Sequence, residues 1–200
     1  MDITRENTAL LVVDMQNSFT EPKGSMAAMG LPHEELRPAI AGCRTLIDAA
    51  HAAGVPVIYT RYIFQPGYAD GGLVPNEIVP AIKEVGALAA GSWDAEICDE
   101  LTPAEGDIVI DKSRPSSFYG TRLEPILTGL GVRSLVICGV TTNICVETTA
   151  RDAGQRDYAT HVISDATAEF DKARHDYALN GIGFIFGWVN TVDEVVRAWA

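Results

Sequence analysis

The segment Ser134-Leu-Val-Ile-Cys138-Gly139-Val140-Thr141-Thr142-Asn143-Ile144-Cys145-Val146-Glu147-Thr148-Thr149 decides the fold. Its first part is an unbroken apolar run of strand length that stops at a glycine. Its last part opens a helix-forming stretch over residues 146–156. A strand without polar alternation is covered on both faces, as in a parallel sheet. The turn between strand and helix sets Cys145 at a helix N-terminus. Unpaired backbone N–H groups and the positive end of the helix dipole favour thiolate over thiol there. The same N–H groups can hold an oxyanion that forms beside the sulfur.

Outward from this segment the same alternation continues. Apolar runs at residues 8–14, 56–60, 108–111, 159–164 and 183–186 read as further strands. Helical spacing predicts helices over 33–53, 122–130 and 168–180, with shorter ones near 76–85 and 95–101. Gly54 closes the first helix as a C-cap, and a last helix starts at Thr191, with Glu194 completing a capping box. Strands alternating with helices from end to end predict an α/β fold, a Rossmann-like parallel sheet with helices on both faces. Right-handed crossovers then bring all strand C-termini to one edge, where open α/β sheets bind ligands. Asp14 follows the first strand, Lys112 the third and Cys145 the fourth, so this topology makes an acid, a base and a thiol neighbours.

The 200 residues, 47% of them hydrophobic, suit one domain spanning 1–200 with a full-sized core. A formal net charge of -12 argues against nucleic acid or an anionic membrane as the main partner. No run is long enough to span a bilayer, and the N-terminus lacks a secretory pattern, so the expected location is cytoplasmic. Cys43 and Cys138 read as small core residues, and Cys98 is ambiguous. No cysteine or histidine spacing suggests zinc, so neither metal nor cofactor is expected. The Gly- and Pro-rich segment 61–91 is long for a compact domain and is the expected seat of specificity. Gln16, Phe19, Tyr62, Phe64, Trp93, Phe118 and Tyr119 are candidate substrate contacts, each with packing or a backbone hydrogen bond as the ordinary alternative.

Three motifs carry a resemblance over nearly the whole length: Val12-Val13-Asp14-Met15-Gln16-Asn17, Lys112-Ser113-Arg114 with Phe118, and Gly139-Val140-Thr141-Thr142-Asn143-Ile144-Cys145-Val146. The chain resembles the isochorismatase-like cysteine hydrolases. That resemblance implies a six-stranded sheet of order 3-2-1-4-5-6, a catalytic triad of Asp14, Lys112 and Cys145, and a homodimer or homotetramer. It also implies a non-proline cis peptide at Val140–Thr141 and an oxyanion hole made by the Thr141 and Cys145 N–H groups. Nicotinamidase-like members carry metal-binding histidines after the second strand. Here that place reads Tyr59-Thr60-Arg61-Tyr62-Ile63-Phe64, without a histidine. Cys145 in turn speaks against the vinyl-ether-cleaving members, which lack the cysteine. The nearest subgroup is the ureidoacrylate- and carbamoyl-type amidohydrolases, although Tyr62 and Phe64 stand where polar residues are expected. The expected activity is metal-free hydrolysis of a C–N bond in a small linear amide or ureide, ureidoacrylate-like, through a covalent cysteine intermediate. The alternatives are another small amide (biuret, N-carbamoylsarcosine, maleamate) or a non-catalytic relative that acts as a binding protein.

Overall fold

The computed structural model describes residues 3–200. Six strands form one sheet: β1 (Thr8–Val13), β2 (Val57–Tyr62), β3 (Ile108–Lys112), β4 (Ser134–Val140), β5 (Ala159–Ala168) and β6 (Trp188–Asn190). Their order is β3-β2-β1-β4-β5-β6, and every pairing is parallel. The sheet order implied by the family resemblance is therefore the observed one. β1 is buried at every position, which is why its sequence carries no polar alternation.

The main helices are α1 (Pro38–Ala53), α2 (Leu123–Gly129), α3 (Glu147–Gly154), α4 (Lys172–Gly181) and α5 (Val192–Trp199). The crossover from β1 to β2 runs one way along the sheet and that from β4 to β5 runs the other. Right-handed connections therefore place α1 and α3 on opposite faces. Cys43, Leu46, Ile47 and Ala50 form the buried stripe of α1, and Gly54 ends it at φ 69°. Thr191 caps α5 in a full capping box with Glu194.

Several elements differ from the sequence reading. The predicted strand at 183–186 is instead a π-helical turn, Ile182–Phe186, that continues α4. Phe184 and Ile185 are exposed there, at 85% and 71%, so the apolar run does not mark a buried strand. The pairing strand comes five residues later, with Trp188 opposite His161. Gly187 makes that turn possible, because a Cβ at this position would lie 2.3 Å from the Thr160 carbonyl oxygen. The helix expected over 76–85 is two short pieces, Val74–Ile78 and Ala81–Glu84, with Pro80 between them. The stretch 95–101 holds only 3₁₀ turns, Trp93–Ala95 and Asp99–Leu101. β5 runs four residues past its predicted end, with a register irregularity against β4 between Ile137 and Gly139. No helix among the described residues is long and apolar enough to cross a membrane.

Candidate active site

β1 and β4 are held in register up to Val13 and Gly139. A Cβ on Gly139 would fall 2.1 Å from the Val13 carbonyl oxygen, so only glycine lets the two strand ends close together. Just beyond this contact Asp14 takes φ 51°, a left-handed turn that Asp adopts more readily than most residues. Its N–H donates to Thr60 O at 3.1 Å, which ties the turn to β2. The chain leaving β4 passes through a cis Val140–Thr141 peptide into a helical turn, Thr142–Val146, that delivers Cys145.

The structure brings Asp14, Lys112 and Cys145 together from these three strand ends. Lys112 Nζ lies 2.7 Å from Asp14 Oδ2 and 3.5 Å from Cys145 Sγ. Both members of the ion pair have fully buried side chains, and Cys145 is 3% exposed. Lys112 Nζ also donates to the carbonyls of Arg114 and Pro115, each at 3.0 Å, and sits 4.4 Å over the Tyr62 ring. The lysine is thereby fixed in direction as well as charge. Asp14 Oδ1 accepts a hydrogen bond from Thr60 Oγ1 at 2.7 Å. Oδ2 faces the ammonium and accepts no other hydrogen bond, which leaves a basic site next to the sulfur.

Burial is the largest influence on the Lys112 amine and opposes its charge, but Asp14 and Cys145 outweigh it and raise its pKa. The Cys145 thiol behaves oppositely. Burial pushes its pKa well up, Lys112 pulls it down, and the charge of Asp14 pushes it up again. The helix terminus favours thiolate over thiol, but burial of the sulfur opposes it and is the largest influence on this group. The resting group is a thiol beside a carboxylate that can take its proton.

A cavity of about 420 Å³ opens directly above the sulfur. Phe19, Tyr62 and Phe64, three of the candidate contacts, line it together with Thr141 and Cys145. The other four candidates lie elsewhere. Gln16 is fully buried, and its amide donates to the carbonyls of Tyr62 and Ala95 and accepts the Tyr62 N–H at 2.7 Å. It is a strut for the loop, with no polar atom left for a ligand. Trp93 is half exposed and its carbonyl accepts from the Asn17 side chain. Phe118 packs against Tyr158 under the Arg156 guanidinium, and Tyr119 points to solvent at 68% exposure.

Sequence reading overlooked most of the lining: Met26, Met29 and Leu31 from the first loop, Val74, Val79, Ala81, Ile82 and Leu88 from the 61–91 segment, and Ile144 and Phe170. No motif marks these residues, because only the return of two loops over the sheet edge assembles them. Thr60 was also missed. Its alternation in β2 reads as an ordinary strand residue, yet it orients Asp14. Ser117 N–H donates to Thr149 Oγ1 at 3.0 Å, which staples the loop after β3 onto α3. Asn143 N–H donates to Glu169 Oε2 at 3.0 Å, which steadies the turn before Cys145.

Known proteins share this chain's sequence pattern and fold. A family model described as the isochorismatase domain matches residues 8–194. Ureidoacrylate amidohydrolase RutB of Azorhizobium caulinodans is 36% identical, covering 100% of this chain and 93% of that protein. The same-named protein of Methylobacterium radiotolerans is 39% identical over 92% of this chain and 76% of its own length. Among solved structures, a cysteine hydrolase from Pseudomonas syringae pv. phaseolicola 1448A superposes with a TM-score of 0.91 at 32% identity, covering 100% and 95% of the two chains. N-carbamoylsarcosine amidase from Thermoplasma acidophilum gives a TM-score of 0.75 at 31% identity, covering 93% and 96%.

Proposed function

The chain belongs to the isochorismatase family of hydrolases, and from that premise we propose that it is a cysteine amidohydrolase cleaving the C–N bond of a linear amide or ureide. The observation that carries this reading is the buried contact of Lys112 Nζ with both Asp14 Oδ2, at 2.7 Å, and Cys145 Sγ, at 3.5 Å, beneath a cavity that Cys145 itself lines. The names of the relatives point to the same bond: ureidoacrylate amidohydrolase and N-carbamoylsarcosine amidase.

Catalysis begins when Cys145 Sγ attacks the amide carbonyl carbon and its proton passes to Asp14 Oδ2. The thiolate never has to stand free in the buried site, because the proton leaves as the S–C bond forms. The tetrahedral oxyanion is received by the Thr141 and Cys145 N–H groups. Asp14 then gives the proton to the departing nitrogen, the C–N bond breaks, and ammonia or an amine leaves. A thioester remains on Cys145, or a thiocarbamate if the substrate is a ureide. Asp14 next takes a proton from a water that attacks this acyl group, and the proton returns to the sulfur as the acid departs. Lys112 keeps its charge throughout, opposing the negative charge that moves between carboxylate, sulfur and oxyanion.

Metal independence is part of this reading. Among the described residues no three His, Cys, Asp or Glu side chains are grouped to hold an ion. Ammonia release from a panel of primary amides and ureides, with mass spectrometry of the intact protein, is the test. Turnover is expected with an acyl adduct on Cys145, lost in Cys145→Ser and Asp14→Asn and insensitive to chelator. Wild-type turnover in Asp14→Asn would defeat the proton-transfer role.

A further inference from the structure

The walls above Cys145 are apolar to an unusual degree for a site built around an ion pair. Only Tyr62, Thr141 and the cysteine itself bring polar side-chain atoms to the lining, and no lining residue carries a charge. The cations nearby in the chain stand outside that lining. Lys112 is spent on Asp14, Cys145 and two carbonyls. Arg114 Nη1 donates to the carbonyls of Asp70 and Ser113, and its Nη2 lies against Gly72. Arg61 is paired with Asp111 and Glu96. Leu31, Val79 and Ile144 line the cavity and are still more than a third exposed, so apolar surface there stands uncovered.

Building on the amidohydrolase reading, we propose that the substrate is a neutral amide whose non-reacting part is a bulky apolar group, and not a carboxylate-bearing ureide. A carboxylate carried into this cavity would lose its water and find no cation, which weakens productive binding on the order of a hundredfold or more. An apolar body instead covers Leu31, Val79 and Ile144 and gains from each methylene it buries. The volume of about 420 Å³ lies in the range that encloses drug-sized ligands, larger than a small ureide needs. The reacting amide then lies at the only polar end of the cavity, against Cys145 and Thr141.

The test compares acetamide, butanamide and hexanamide with adipamate, the analogue of hexanamide that ends in a carboxylate, and with ureidoacrylate. Ammonia release by the wild-type protein is measured as kcat/KM. A rise of about fourfold per added methylene is expected, with hexanamide ahead of adipamate by roughly a hundredfold. Met29→Lys, at a half-buried lining position, is expected to narrow or reverse that preference. Calorimetric binding to Cys145→Ser should rank the ligands in the same order without turnover. If adipamate or ureidoacrylate equals hexanamide in a Cys145-dependent reaction, the apolar assignment falls while the amidohydrolase reading stands. If no amide yields ammonia or a Cys145 adduct, both fall together.

Discussion

Replacing Lys112 by Met removes one charge from a pair whose side chains are both fully buried and only 2.7 Å apart. Methionine keeps the apolar stem, so the change is chiefly electrostatic. It leaves the Asp14 carboxylate with Thr60 Oγ1 as its remaining side-chain donor, and it deprives the carbonyls of Arg114 and Pro115 of their donor. Breaking a buried pair from one side costs about 3–5 kcal/mol. For a domain of this size that lowers Tm by roughly 6–20 °C. Asp14→Asn should cost less, because Lys112 retains the two carbonyls. The double variant removes both charges, and its cost should fall short of the sum of the single costs by at least about 2 kcal/mol. Urea unfolding of all four proteins at neutral pH, followed by far-UV circular dichroism, measures that coupling. Activity should remain absent in the double variant even where stability returns. Single costs that add to within about 0.5 kcal/mol would show that the two charges do not act as a pair, and the electrostatic account of the site would fail.

Three further outcomes follow from the geometry. Burial holds the Cys145 proton to well above the ordinary thiol range. The folded protein therefore keeps a proton that the unfolded chain loses above about pH 8.5, and stability should fall there by up to about 1.4 kcal/mol per pH unit from this group. Cys145→Ser should lack that share of the slope, and equal slopes in the two proteins over pH 8.5–10 would refute it. Gly139→Ala, whose Cβ would meet Val13 O at 2.1 Å with φ at 110°, should lower Tm by more than about 10 °C or abolish soluble protein; an unchanged melting curve would mean the strand ends are not in contact. Gln16→Leu should cost about 2–4 kcal/mol through three lost backbone hydrogen bonds. A substrate contact would instead raise KM and leave unfolding unaffected.

The sheet was legible because its signal is redundant. Each strand up to β5 is an apolar run closed by a turn, and the parallel arrangement follows from covering both faces. The β6 region failed for a definite reason: Gly183-Phe-Ile-Phe186 and Trp188-Val-Asn190 are both short and apolar, and pattern does not say which will pair. Both segments are exposed, so burial does not separate them either; the outcome depends on where the helical turn Ile182–Phe186 ends and lets Trp188–Asn190 pair with β5. Asp14, Lys112 and Cys145 could be placed because they sit one residue past β1, at the last residue of β3 and one short turn past β4, where topology alone determines position. The cavity walls depend instead on how the loops after β1 and β2 fold back over the sheet edge, and no periodicity governs that. Gln16 and Phe19 illustrate the difference. Only three residues apart, one is consumed by backbone groups and the other faces the cavity.

The resting thiol and the apolar walls are two consequences of one design. In an open, wet site a cysteine beside a lysine would lose its proton and stand as a thiolate, ready for any electrophile or oxidant. Here desolvation is the largest effect on the sulfur and keeps it protonated. The same dry surroundings strengthen every charge interaction once a carbonyl is in place, because Lys112 and the turn N–H groups then act without competing water. Charge separation is therefore favourable only when an oxyanion can form, that is, when a ligand already fills the cavity. Enlarging the mouth separates these effects. Ile82→Ala, at a lining residue remote from Asp14, Lys112 and Cys145 in sequence, should admit water, bring the sulfur closer to ordinary thiol behaviour and speed its alkylation by iodoacetamide at neutral pH while slowing amide turnover. Alkylation and turnover that rise together would show that the sulfur is limited by access alone and that the dryness of the cavity has no part in its activation.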